Sequence, residues 1–162
     1  LSLRPLAAAL GTSDRMLVYH FGSKDALVAE VIERSNGRSI AFLAGLEPAS
    51  SPSDAVLALW RAWHEPVVDR CLRVYAQSAA LGLLGDEPYL GAARRSNATW
   101  TDEVTRYFER SGVPADRAER LGELTDAALF GLWLDESAAD DAAATGRIVH
   151  DLADTIQRLS TD

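Results

Sequence analysis

The chain is poor in several of the residue types that would direct a reading of its chemistry. It has a single cysteine, Cys71, so an internal disulfide is excluded. On a helical stretch a lone cysteine reads as a small buried apolar residue, and the setting expected is a reducing, cytosolic one. No apolar run approaches the roughly 20 residues that a membrane span needs, and the N-terminus lacks the charged-then-apolar layout of a signal peptide. The protein therefore reads as soluble and cytoplasmic, with no membrane partner. Its three histidines, His20, His64 and His150, are scattered. Metal-ligand clusters and phosphate-binding glycine loops are missing, and Glu65 beside His64 makes no convincing acid–base pair. These absences argue against an enzyme, and no cofactor is expected. Strand-like alternation is missing too, so the fold expected is all-α with about eight helices.

What is present is distributed unevenly. A net charge of −8 would oppose nucleic-acid binding if it were spread evenly, because affinity for DNA comes largely from neutralising phosphates. Residues 1–40 carry Arg4, Arg15, Lys24, Arg34 and Arg38 against Asp14, Asp25, Glu30 and Glu33, a balance of +1, and residues 41–162 sum to −9. Lys24 is the chain's one lysine. A small DNA-reading head on an acidic body fits this asymmetry.

Local signals divide the chain into helices. Ser2 is a candidate N-cap with Pro5 in the first turn, and Gly11 ends that helix. Ser13 caps a helix through Phe21, in which Met16, Leu17 and His20 or Phe21 are spaced to pack inward. Gly22 stops it, making a helix-turn-helix over residues 2–21. Ser23 caps a longer helix from Lys24 to about Leu46, with Leu27, Val28, Val31 and Ile32 as its stripe and Gly37 and Gly45 as weak points. Ser51 or Ser53 starts a helix carrying Val56, Leu59, Trp60, Trp63 and Val67, which Pro66 kinks or ends. Further helices carry Cys71, Leu72, Tyr75, Ala79 and Leu83; then Trp100, Val104, Tyr107 and Phe108 between Pro88 and Gly112; then Leu121 to Trp133 within residues 115–135. Residues 135–141 read as a loop, and Ile148, Val149, Leu152, Ile156 and Leu159 stripe a closing helix.

The order Leu1-Ser-Leu-Arg-x-Leu-Ala-x-x-Leu-Gly-x-Ser13, then Leu17-x-Tyr-His-Phe21, then Ser23-Lys24-x-x-Leu27, resembles the DNA-binding half of the TetR family of transcriptional regulators over residues 1 to about 34. The resemblance implies a head over residues 1–40, including the start of a connecting helix, and a ligand-binding and dimerisation body over 41–162. It also implies a further helix ahead of the helix-turn-helix; the chain begins at Leu1 without it, so the head reads as incomplete at its N-terminus. Where the family often has an aromatic residue directly after the recognition-helix leucine, this chain has Val18, with Tyr19 following.

Recognition helices enter the major groove by their N-terminal residues, which puts Thr12, Ser13, Asp14, Arg15 and Met16 nearest the bases. Arg15 leads, since a guanidinium pairs with both guanine acceptors. Asp14 can accept from a cytosine amino group or simply favour the helix dipole. Tyr19 and His20 match family positions near the phosphates, with core packing the other reading of His20. Lys24, at a helix N-terminus, fits a phosphate clamp. In the body, Trp60, Trp63, His64, Tyr75, Asn97, Trp100, Tyr107 and Phe130 are the candidates for an effector cavity, against core packing as the plain reading of each large side chain. Gln77 and Ser78 are weaker candidates. The apolar breadth of residues 121–134, together with the last helix, fits a homodimer through a four-helix interface over about 115–134 and 141–160, in which Gly122, Ala128 and Gly131 permit close approach. The resulting expectation is a ligand-responsive repressor that binds a double-stranded DNA operator and is released by a small-molecule effector. The alternative is a helical, dimeric small-molecule-binding protein that does not bind DNA.

Overall fold

The computed structural model describes residues 2–136 and 142–161. Among these the chain forms eight helices and no strand: α1 (Leu3–Ala9), α2 (Asp14–Phe21), α3 (Lys24–Ala44), α4 (Pro52–Trp63), α5 (Pro66–Leu83), α6 (Glu87–Arg110), α7 (Ala115–Glu136) and α8 (Ala142–Thr161). Serine caps set three of the starts. Ser13, Ser23 and Ser51 accept from the backbone N–H of Met16, Ala26 and Asp54 at 3.2, 3.0 and 3.1 Å, each worth about 1 kcal/mol. Pro52 and Pro66 occupy first-turn positions, where a missing N–H is tolerated.

Three apolar clusters organise the helices. Ala7, Leu17 and Leu27 form a small one that joins α1, α2 and the start of α3. Val28 and Ile32 meet Ala92 of α6 in a second. The third and largest holds Leu43, Leu59, Trp63, Phe108, Leu129 and Ile156 with their neighbours. The α3 helix enters all three and lies along α5 and α6, while α4 packs on α8 and α6 on α7. Inside this body Glu103 is buried but paired, accepting from Arg106 Nε at 2.9 Å and Arg110 Nη1 at 3.2 Å, so its charge is not left uncompensated.

Several sequence expectations change. The α4 helix stops at Trp63, and Val67 belongs to α5, because Glu65 before Pro66 is extended at φ −64°, ψ 135°, as the proline ring requires of its predecessor. Ser51, not Ser53, is the cap; the Ser53 N–H donates to Gln157 Oε1 at 3.2 Å. Ser2 stands at the N-cap of α1 without a side-chain cap bond. Of the inward set on α2 only Leu17 is buried; Met16, His20 and Phe21 are exposed, as are Val31 on α3 and Leu83 at the end of α5. Asp135 and Glu136 continue α7; the rest of the expected loop, residues 137–141, lies outside the described residues.

The glycines of the helical interiors differ sharply. A Cβ on Gly82 would lie 2.8 Å from Leu90 Cα, so α5 and α6 close on each other only because no side chain stands there. One on Gly37 would meet nothing within 4 Å. Gly82→Ala is therefore expected to lower stability by about 1–3 kcal/mol through forced separation of the two helices. Gly37→Ala is expected to raise it by up to about 1 kcal/mol through helix propensity. Urea unfolding of the two variants checks the opposite signs.

Candidate nucleic-acid interface and ligand cavity

The head is built around two glycine turns. Gly11, at φ +66°, lets the chain leave α1, and the Thr12 N–H returns to Ala7 O at 2.9 Å. Gly22, at φ +80°, ends α2 with its N–H on Val18 O at 2.8 Å. Both conformations favour glycine. Between the turns α2 buries Leu17 alone, so the rest of its surface is free to meet a partner. Thr12, Ser13, Asp14, Arg15, Met16, Tyr19, His20 and Lys24 are all exposed, with Tyr19 at 78%. The Ser13 hydroxyl is committed as a cap acceptor but keeps its proton to donate. Asp14 Oδ1 accepts from the Arg15 N–H at 2.9 Å, the behaviour of a first-turn acid. Tyr19 and His20 stand edge-to-face with ring centres 5.5 Å apart. Arg4 joins Asp14 and Arg15 along a shallow groove between α1 and α2.

A cavity of about 270 Å³ lies in the body, walled by α3, α5, α6 and α7, with Trp63 of α4 against it. Its aromatic side consists of Trp63, Trp100, Phe130 and Tyr75, edge-to-face at centroid distances of 5.6 to 6.3 Å. The Tyr75 hydroxyl donates to Asn97 Oδ1 at 3.2 Å. The α3 wall presents Ile32, Ser35, Asn36 and Ser39. Cys71 Sγ donates to Ser35 O at 2.9 Å, tying α5 to α3 beside the cavity. On the α7 wall Asp126 accepts from Trp100 Nε1 at 2.6 Å. Burial pushes its carboxyl up to about 6 against that hydrogen bond, and burial and the Asp126 charge together raise the Tyr75 hydroxyl.

Residues 1–31 match the family model for bacterial regulatory proteins of the tetR family. Over these residues the chain carries a DNA-binding segment of tetR type. It is thus a DNA-binding transcriptional regulator of tetR type, and the match covers α1, α2 and the first turns of α3, the part of the tetR head in which the eight exposed residues stand. No curated protein and no solved structure matches the chain. Among the described residues, no helix is long and apolar enough to cross a membrane.

Five of the eight ligand candidates line the cavity: Trp63, Tyr75, Asn97, Trp100 and Phe130. Three do not. Tyr107 is buried in the main core, with the Arg110 guanidinium 5.7 Å from its ring centre. Trp60 packs edge-to-face on His64 at 4.6 Å. His64 Nδ1 lies 2.8 Å from Trp60 O and Nε2 2.7 Å from Glu136 Oε2. Both neighbours are acceptors, an arrangement that the protonated imidazole, with a proton on each ring nitrogen, satisfies in full. Burial lowers the affinity of His64 for its proton, but the bonds to Glu136 and to the Trp60 carbonyl outweigh it and the net shift is upward. This pair clasps the end of α4 to the last turn of α7. Gly122 faces α6, where a Cβ would stand 3.4 Å from Val104 Cγ1, so it serves packing within the chain.

Sequence reasoning missed Asp126, Glu123, Ser35, Asn36, Ser39, Ser96 and Thr101 on the cavity wall. The one usable signal for Asp126 was its position inside the broad apolar surface of residues 121–134. A carboxyl raised in the folded state binds its proton more tightly there than in the unfolded chain, so its contribution to stability falls as pH rises from about 4 to above 6. Asp126→Asn should remove that loss: relative to wild type, the variant gains about 1–3 kcal/mol between pH 4 and pH 7. Urea midpoints at the two pH values check the difference.

Proposed function

We propose that this tetR-family regulator is a ligand-responsive repressor that works in the cytoplasm as a homodimer and leaves its operator when a small molecule fills the cavity. In this reading residues 1–40 are the DNA-binding head with the start of its connecting helix, and residues 41–162 the ligand-binding and dimerisation body. The observation that carries the reading is the path of α3. Leu27 of α3 belongs to the core of the head, and Ile32, Ser35, Asn36 and Ser39 of the same unbroken helix form a wall of the cavity. An effector pressing on that wall shifts the helix that carries the head. Two heads held at one spacing fit two half-sites a helical turn of DNA apart. The shift in occupancy is bounded by the effector's differential affinity for the two states.

On the operator Arg15 reads base edges, with Thr12, Ser13, Asp14 and Met16 beside it. Tyr19, His20 and Lys24 take phosphates. Pairing of subunits uses α7 and α8, supported by the exposure of Leu124 on α7 and Ile148 on α8 and by the open space outside Gly131.

Fluorescence anisotropy of the full-length protein on the DNA upstream of its own gene, over a salt series, tests the reading. Arg15→Ala is expected to weaken specific binding roughly 5- to 150-fold and to relax preference at one base position. Lys24→Ala is expected to weaken binding to all sequences and reduce the salt slope by about 1. Binding that shows no sequence preference and no salt dependence would sink the reading. Gly131→Arg, at a position where a Cβ would meet nothing within 4 Å among the described residues, is expected to shift the protein from dimer to monomer in sedimentation velocity, and an unchanged dimer would move the interface elsewhere.

A further inference from the structure

The cavity carries a charge that the protein does not offset. Elsewhere its buried or half-buried acids are paired: Glu103 with Arg106 and Arg110, Asp69 with Arg73. Asp126 has only the indole N–H of Trp100, and no arginine, lysine or histidine stands among the residues lining the cavity. One neutral hydrogen bond does not compensate a carboxylate drawn out of water. Burial raises its carboxyl, but to about 6, so at neutral pH it is largely ionised. Glu123, one turn earlier on α7, adds a second acid to the same wall.

The remaining lining points the same way. Trp63, Trp100, Phe130 and Tyr75 surround the space with π systems whose faces are electronegative. Aromatic faces with a carboxylate at one end attract an organic cation and repel an anion. At about 270 Å³ the cavity is at the small end for ligand sites, which suits a one-ring compound.

We propose that the cavity takes an organic cation, an ammonium or quaternary nitrogen seated beside the Asp126 carboxylate and carried on an aromatic or alicyclic body that packs against Trp63, Trp100 and Phe130. This rests on the cavity being the effector site, as proposed above. The cation supplies the counter-charge that no side chain provides, and its apolar body takes up the aromatic walls.

The test uses the full-length protein and three probes: benzyltrimethylammonium, its uncharged carbon counterpart neopentylbenzene, and phenylacetate. Intrinsic tryptophan fluorescence reports occupancy, since Trp63 and Trp100 line the site. The cation is expected to bind at least about tenfold more tightly than the neutral probe, with phenylacetate weakest. In Asp126→Asn, shown to be folded by circular dichroism, the advantage of the cation is expected to fall below about twofold. Equal binding of the neutral probe, an advantage that survives in Asp126→Asn, or no binding of any probe at millimolar concentration overturns the proposal and leaves the operator-binding reading intact. Cation binding that depends on Asp126 yet leaves operator affinity unchanged supports the ligand class and overturns the cavity's role as effector site.

Discussion

Leu27 and Leu43 sit on one unbroken helix, about 24 Å apart along its axis at 1.5 Å per residue, the first in the small core of the head and the second in the main core of the body. Between them one side of α3 is engaged. Val28 and Ile32 meet Ala92, and Ser35, Asn36 and Ser39 face the cavity. The head has little apolar surface of its own, with Ala7 and Leu17 as its other buried residues, so its order depends on the helix it shares. A helix with its hydrogen-bond ladder intact moves as a rod over this length, and packed interiors shift between arrangements instead of deforming smoothly. In the proposed mechanism the head reorients together with α3, which moves against α5 and α6 and alters a wall of the cavity.

Charge is used in three ways around this rod. The head presents Arg4, Arg15 and Lys24 on exposed positions, while the acidic body would be repelled by DNA if it came near. Within the body, charges that hold helices together are matched. His64 and Glu136 join α4 to α7, and Asp69 accepts from Arg73 and from Trp133 Nε1. Asp126 is the exception, half-buried on the cavity wall with no basic residue among the lining side chains. Groups left in such a state lower stability, which is the ground for the cation proposed to meet it.

Much of this was legible in the sequence because it is locally determined. Gly11 with Ser13, Gly22 with Ser23, Ser51, and Pro66 fix helix ends through their own backbone chemistry, and those ends stand where the residues put them. The all-α fold and the helix-turn-helix follow from the same signals, and the family match rests on the same segment. Facing is a different matter. Trp60 and Trp63 share one helical stripe, but only the docking of α4 on α8 turns Trp63 to the cavity and leaves Trp60 against His64. His64 owes its position to Glu136, 72 residues away. Asp126 reads in sequence as an ordinary polar position, since nothing local announces that Trp100 will meet it. Periodicity gives the apolar face of a helix and leaves open which neighbour covers it.

The claim that the cavity and the head are two ends of one lever is tested most directly by filling the cavity from α3 without any ligand. Ser39→Phe places a ring where the effector would sit, and Ala41→Phe places the same ring on the exposed side of the same helix. With both variants folded, operator affinity is predicted to fall by about tenfold or more in Ser39→Phe, a coupling of the usual allosteric size, and to stay near wild type in Ala41→Phe. Equal operator affinity for the two variants would contradict the account.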